Sequence, residues 1–307
     1  MKSRCPNLNC CSAPPDPLFP IGSGLKGRRI VRAGSYYRKS DSRRVRRFHC
    51  RNCGKHFSRA TLGACYRQKR RRLNEPLRDL LCSGVSLRRS AKILGANRKT
   101  VVRKFRFLAT RARLEHALFL EGFRADPIAM VQFDDLETSE HSKCKPLSVA
   151  LAVEPKMRKI LNFQVAQMPA KGLLAKIARK KYGPRSDQRG KAWNRMMQEL
   201  KPYVRCDARW LSDQNPHYPR FLRRHHPIAK HETVKGRRGC VAGQGELKKI
   251  GFDPLFSLNH TCAMLRANMN RLFRRTWCTT KTRSGLSDHL AIYVSYHNRC
   301  LTRASAS

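Results

Sequence analysis

Three runs in the middle of the chain limit its fold most: "AMVQFDD" from Ala129, "KPLSVALAVE" from Lys145 and "KILNFQVAQ" from Lys159. Each is short, rich in branched and aromatic side chains and bounded by turn residues, which predicts three consecutive strands from Asp126 onward, with "PKMR" closing a hairpin. The segments that follow, "GLLAKIARKKYG" and "KAWNRMMQELKPYV", have helical periodicity. Strands alternating with helices over 307 residues predict an α/β core with room for one or two smaller modules.

The first run ends in Asp134 and Asp135, with Glu137 two residues on, in a chain with 66 Lys and Arg against 20 Asp and Glu. Carboxylates at the end of a buried strand need a partner, either an arginine or a metal ion whose charge makes the clustering tolerable. A formal charge of +46 exceeds what solubility requires and predicts a polyanionic partner, nucleic acid by default. No stretch approaches 18 consecutive apolar residues, and the N-terminus has no apolar signal core. The expectation is a soluble intracellular protein with no membrane partner.

Residues 1–62 hold "CPNLNCC" and "FHCRNCGKHFS". A Cys-x-x-Cys pair followed by Gly makes a knuckle whose thiolates face one ion, and a second pair upstream completes four tetrahedral ligands. Cys5, Cys10 or Cys11, Cys50 and Cys53 are therefore expected to hold one structural Zn2+. Between the pairs, "RRIVRAGSYYRKSDSRRVRRFHC" alternates as a hairpin, so the segment reads as a zinc ribbon. Basic residues fill 26–72 around one acid, Asp41, and interleave with Tyr36, Tyr37 and Phe48 as on nucleic-acid surfaces. Arg43, Arg44, Arg46 and Arg47 are expected to grip phosphates. The remaining cysteines, scattered singly from Cys65 to Cys300, read as packing residues.

Within a helix-turn-helix DNA-binding domain expected over 63–125, residues 74 to about 115 read as helices, the first starting at Asn74 with a proline near its first turn and ending at Gly84. In "SLRRSAKILGANRKTVVRKFRFLATR" the spacing of Ala91, Gly95 and Val101 is that of a helix-turn-helix: close approach, turn and anchor. Arg98, Lys99, Arg103 and Lys104 would form the exposed side of its recognition helix.

Beyond the strands, "ARWLSDQNPHYPRFL" offers a brief apolar approach, Trp210 and Leu211, that stops at Asp213 before a turn. Residues 231–251 read as a basic, glycine-containing loop. "LFSLNHTCAMLRANMNRLFRRTW" predicts one long helix with Leu258, Cys262, Leu265, Met269 and Leu272 as its apolar stripe, and with Asn259, Ala263, Arg266 and Asn270 beside it. "SDHLAIYVSYHNR" predicts a final amphipathic helix.

In order along the chain, "CRNCGKHFS", "RRSAKILGANRKTVVR", "QFDDLET", "LSDQNPHY" and "LRANMNRLFRRT" resemble bacterial DDE transposases of the insertion sequence 1 type and their relatives. The likeness spans almost the whole chain. It implies a ribonuclease H-like mixed sheet with helices over 126–307, preceded by the zinc ribbon and the helix-turn-helix. It also implies two catalytic Mg2+ or Mn2+ ions, with Asp134 as the first acid and Asp213 as the second. The third position falls on Asn259, where the family places Glu, and Arg266 matches the basic residue seven further on; Glu232 is the alternative third ligand. The implied activity is cleavage and strand transfer on double-stranded DNA, at element ends and target, by a cytoplasmic, nucleoid-associated homo-oligomer. A catalytically inactive DNA-binding derivative or repressor is the other reading. A basic structural RNA-binding protein would explain the charge but not Asp134, Asp213 and the helix-turn-helix together.

Overall fold

The structure, a computed structural model, describes residues 5–7, 9–10, 30–39, 42–235, 253–273 and 280–301. Cys11, Asp41 and most of the loop expected over 231–251 lie outside the described residues. The chain divides into two compact units, Met1–Asn74 and Glu75–Ser307.

In the first unit the expected hairpin is present, with β1 (Ile30–Arg38) antiparallel to β2 (Arg43–Cys50) and a short β3 (His56–Ser58) returning against β2. Its interior is small: Phe48 stacks on Phe57 at 5.7 Å between ring centroids, beside Cys5, Cys10 and Cys50. Phe48, expected among surface aromatics, is thus a core residue, because among the described residues the three-stranded ribbon has little else to bury. Tyr36 and Tyr37 remain exposed.

The second unit is α/β. Its sheet comprises β4 (Ile128–Glu140), β5 (Ser142–Glu154), β6 (Lys159–Gln167), β7 (Val204–Asp213) and β8 (Lys230–Val234) in the order β6-β5-β4-β7-β8. β5 is antiparallel to β4 and β6, whereas β7 is parallel to both β4 and β8. The β4–β6 meander follows the sequence expectation. β7 is longer than its Trp210–Leu211 signal suggests, and β8 occupies the start of what reads as a loop.

Helices cover both faces. α1 (Asn74–Leu81), α2 (Leu87–Ile93), α3 (Arg98–Glu121), α7 (Phe256–Asn268) and α8 (Arg283–Tyr296) bury Leu77, Phe105, Leu258, Leu290 and Tyr293 against Leu136, Leu147, Val149 and Leu151 of the sheet. On the other face, α5 (Arg189–Leu200) and α6 (Tyr218–His225) bury Trp193, Met196, Tyr218 and Phe221 against Val131, Phe133 and Trp210. α4 (Leu174–Tyr182) follows β6 in the chain. Alternation along β4 explains the division: Leu136 serves one core, while Val131 and Phe133 serve the other. Among the described residues no helix is long and apolar enough to cross a membrane.

Two helical expectations need correction. The long helix from Leu255 stops at Asn268, where Met269 turns extended (φ −116°, ψ 109°), and resumes only as a short 3-10 turn over Asn270–Leu272. Met269 and Leu272 stay buried across the break, so the apolar stripe continues although the helix does not. α8 is not amphipathic, since every residue from His289 to Ser295 is buried.

Candidate functional site: a carboxylate pair and a four-cysteine cluster

In the first unit, Gly54 at φ 66° lets its N–H reach back to the Cys50 carbonyl at 2.9 Å, folding Cys50 and Cys53 into one knuckle. Cys5 Sγ lies 3.6 Å from Cys53 Sγ, and Cys10 Sγ lies 3.7 Å from Cys50 Sγ. All four sulfurs fall within 4.8 Å of one another. A tetrahedral zinc with Zn–S bonds of about 2.3 Å requires sulfur–sulfur edges of about 3.8 Å, so the cluster fits that ion. Burial works against ionisation of Cys50, but the backbone amides of Cys53 and Asn52 donate to it and bring it down to about 6. The Lys55 amide likewise lowers Cys53, whereas burial pushes Cys5 up to about 12. Four cysteines so placed can hold a structural zinc, with Cys10 as the second ligand.

The second candidate lies where the pairing of β4 with β7 ends. Asp213 closes β7, whereas Asp134 stands midway along β4 rather than at its end as expected, because β4 continues against β5 as far as Glu140. The parallel pairing of β4 with β7 joins Val131 to Trp210 and Gln132 to Leu211; Asp134 and Asp213 are each two residues past that last pair. Burial, followed by the charge of Asp213, raises Asp134 to about 6. The Asp135 amide at 2.6 Å and the Tyr218 hydroxyl at 3.0 Å donate to Asp134 Oδ1 and oppose that rise. Asp213 Oδ1 accepts from the Asn215 amide at 3.1 Å, which shapes the turn into α6 and so delivers Tyr218 to the acids.

Asp135 has a different environment. It accepts from the Ser148 hydroxyl, from Trp193 Nε1 at 3.1 Å and from Tyr218 at 3.4 Å. Burial raises its carboxyl, and these donors offset part of the rise. Three neutral donors make Asp135 an orienting group rather than an open ligand. Glu137 points to Lys171 at 2.7 Å, an exposed ion pair.

α7 completes this end of the sheet. Buried Gln132 donates to the Pro254 carbonyl at 2.6 Å and accepts from the Leu258 amide at 2.9 Å, clamping the start of α7 to β4. Cys262 is pushed up to about 12 by burial, with Asp134 adding to the rise and Arg266 opposing it, so this face of α7 senses the acid. Asn259 is exposed one turn before Cys262, and Arg266 is half-buried one turn after it. Glu232 is held in a two-pronged pair by Arg209 at 2.8 and 2.9 Å and is exposed. Among the described residues, the four cysteines are the one group of three or more His, Cys, Asp or Glu side chains that could hold an ion. Asp134 and Asp213 supply two carboxylates, and a divalent cation there would need the Asn259 carbonyl or further oxygens.

Of the expected nucleic-acid contacts, Arg43, Arg44, Arg46 and Arg47 are exposed along β2, and Arg98, Lys99 and Arg103 are exposed on the first turns of α3. Lys104 is not: it is 3% exposed, because it falls on the stripe of Val101, Phe105 and Leu108 that α3 buries. Tyr218, Gln132 and Asp253 escaped the sequence reading. The "DQNPHYP" spacing held a signal for Tyr218, five residues after the acid with a proline turn between. No protein-family model matches the chain, and no curated protein is significantly similar to it.

Proposed function

We propose that the chain is a DNA transposase of the DDE type, which binds the ends of a mobile element, cuts a phosphodiester and joins the freed 3′-hydroxyl to target DNA. The observation that carries this reading is the approach of Asp134 and Asp213 from parallel strands separated widely in sequence, with the Tyr218 hydroxyl shared between Asp134 and Asp135. The strand order, with one antiparallel meander and two parallel additions, agrees with a ribonuclease H-like core. The Ala91, Gly95 and Val101 constellation supports a helix-turn-helix: Gly95 turns at φ 54°, and both partners are buried.

Mg2+ or Mn2+ bound by the acids would supply Lewis-acid activation of the attacking oxygen and neutralise charge on the leaving one. The chain's own residues do the positioning. Asp135 and Tyr218 fix the Asp134 carboxylate, Gln132 fixes α7, and the basic surface draws the DNA backbone against carboxylates that would otherwise repel it.

Asn259 in an otherwise acidic triad favours a second reading, a DNA-binding derivative that no longer cuts. A strand-transfer assay with element-end DNA and titrated Mn2+ separates the two. Asp134→Asn and Asp213→Asn are expected to lose cleavage and joining by at least a hundredfold while binding DNA as well as the parent does. A parent that bound element ends but cut at no metal concentration would leave the binding derivative standing.

A further inference from the structure

Asp253 lies just ahead of α7 with both carboxylate oxygens engaged. Oδ1 accepts from the Leu255 amide at 2.9 Å, and Oδ2 accepts from Asn259 Nδ2 at 2.9 Å. Both residues are exposed, so the second bond adds little to stability. It does, however, fix a direction. An ionised carboxylate only accepts, whereas an amide has one donating and one accepting end. With Nδ2 committed to Asp253, Oδ1 of Asn259 is the end turned away from it.

That direction matters because Asn259 shares a helix face with Cys262 and Arg266, and Cys262 senses Asp134. Gln132, two residues before Asp134, holds this part of α7 to the strand. Hard divalent cations take amide oxygens and are repelled by amide N–H2 groups, so an asparagine ligand works in one of its two orientations only.

We propose that Asp253 is a positioning residue that presents the Asn259 Oδ1 to a divalent cation shared with Asp134 and Asp213. The inference rests on the metal-dependent function proposed above. An outer carboxylate that orients an inner ligand is a familiar way of tuning a metal site.

The test is a double-mutant comparison in the zinc-loaded full chain. Mn2+ binding is read by electron paramagnetic resonance of the free ion without DNA, and the Mn2+ needed for half-maximal cleavage is read beside it. Asp253→Asn keeps an oxygen for the Leu255 amide, and so preserves the helix start, but offers Asn259 an N–H2 group and turns its amide over. Mn2+ affinity is expected to fall roughly 10- to 100-fold. In an Asn259→Glu background the ligand is symmetric and needs no orientation, so the same Asp253→Asn change is expected to shift affinity less than about twofold, since only a side chain behind the ligand has altered. An equal loss in both backgrounds would mean that Asp253 only builds the helix start, and the inference would fall. It would fall too if Asp253→Asn left Mn2+ binding and cleavage at parental levels, although the transposase reading would survive that result. A parent that neither bound Mn2+ nor cut DNA would remove both.

Discussion

Cys50 and Cys53 sit in a tight knuckle, three residues apart and folded by Gly54, and the opposing pair is Cys5 and Cys10 of the N-terminal stretch. Among the described residues the ribbon's core holds two buried phenylalanines beside the cysteines, little apolar surface to fold on, so metal and fold are expected to be coupled. The full chain should carry one zinc. Cys50→Ser should lose that zinc together with the hydrogen-exchange protection of the 30–58 strands, while the amides of β4 to β7 keep theirs. Retention of strand protection after complete zinc removal would show that the cluster is not structural. At the carboxylate site, the sequence pointed to Asp134 and Asp213 as acids following apolar strand runs, but it could not see Tyr218 as the partner of Asp134 or Gln132 as the clamp on α7. Those contacts span 84 and 126 residues, and nothing local in either segment announces them.

Elements were legible in proportion to how continuously they are buried. β5 shows an apolar run because Leu147 to Val153 is buried on both faces of the sheet. β7 showed only its last third, because Arg205, Cys206, Asp207 and Arg209 are exposed and hide its pattern. The break in α7 was invisible for the opposite reason, since Met269 and Leu272 remain buried through it. α8 carries a second consequence of complete burial. His289 donates from Nε2 to the Leu81 carbonyl at 2.9 Å, packs edge-on to Phe105, and has no hydrogen-bond partner at Nδ1. Burial therefore drives its pKa from 6.5 down to about 4. The folded state resists a proton that the unfolded chain accepts, so stability is lost as pH falls from about 6.5 to about 4 and the loss is complete below that. The loss attributable to His289 is on the order of 3 kcal/mol. His289→Gln, which keeps a donor for Leu81, is expected to flatten the acid limb of a urea-denaturation series by that amount. Parallel limbs for the two proteins would refute the assignment.

For the whole molecule, the charge of +46 and the exposed arginines of β2 predict a strong salt dependence on DNA. Each phosphate contact removed should lower the log–log salt slope by about 0.9. Replacing Arg43, Arg44, Arg46 and Arg47 together by Gln should therefore lower it by roughly 3 to 4 on specific and random duplexes alike. Replacing Arg98 and Lys99 should instead narrow the difference between the two duplexes. A parental slope in the four-arginine variant, measured by fluorescence anisotropy, would withdraw β2 as a DNA surface.

α3 joins these scales. Its 24 residues make a rod of about 36 Å, anchored by Val101, Phe105, Leu108 and Ala112 in one core and by Leu120 in the other. A rod seated in both cores cannot swing independently of the sheet that carries Asp134. On the proposed function, the interval between the bases met by Arg98 and Lys99 and the phosphodiester delivered to the acids becomes a fixed length of protein. The enzyme would carry its own ruler, and the cut would fall a constant number of base pairs from the sequence read, whatever DNA lay between.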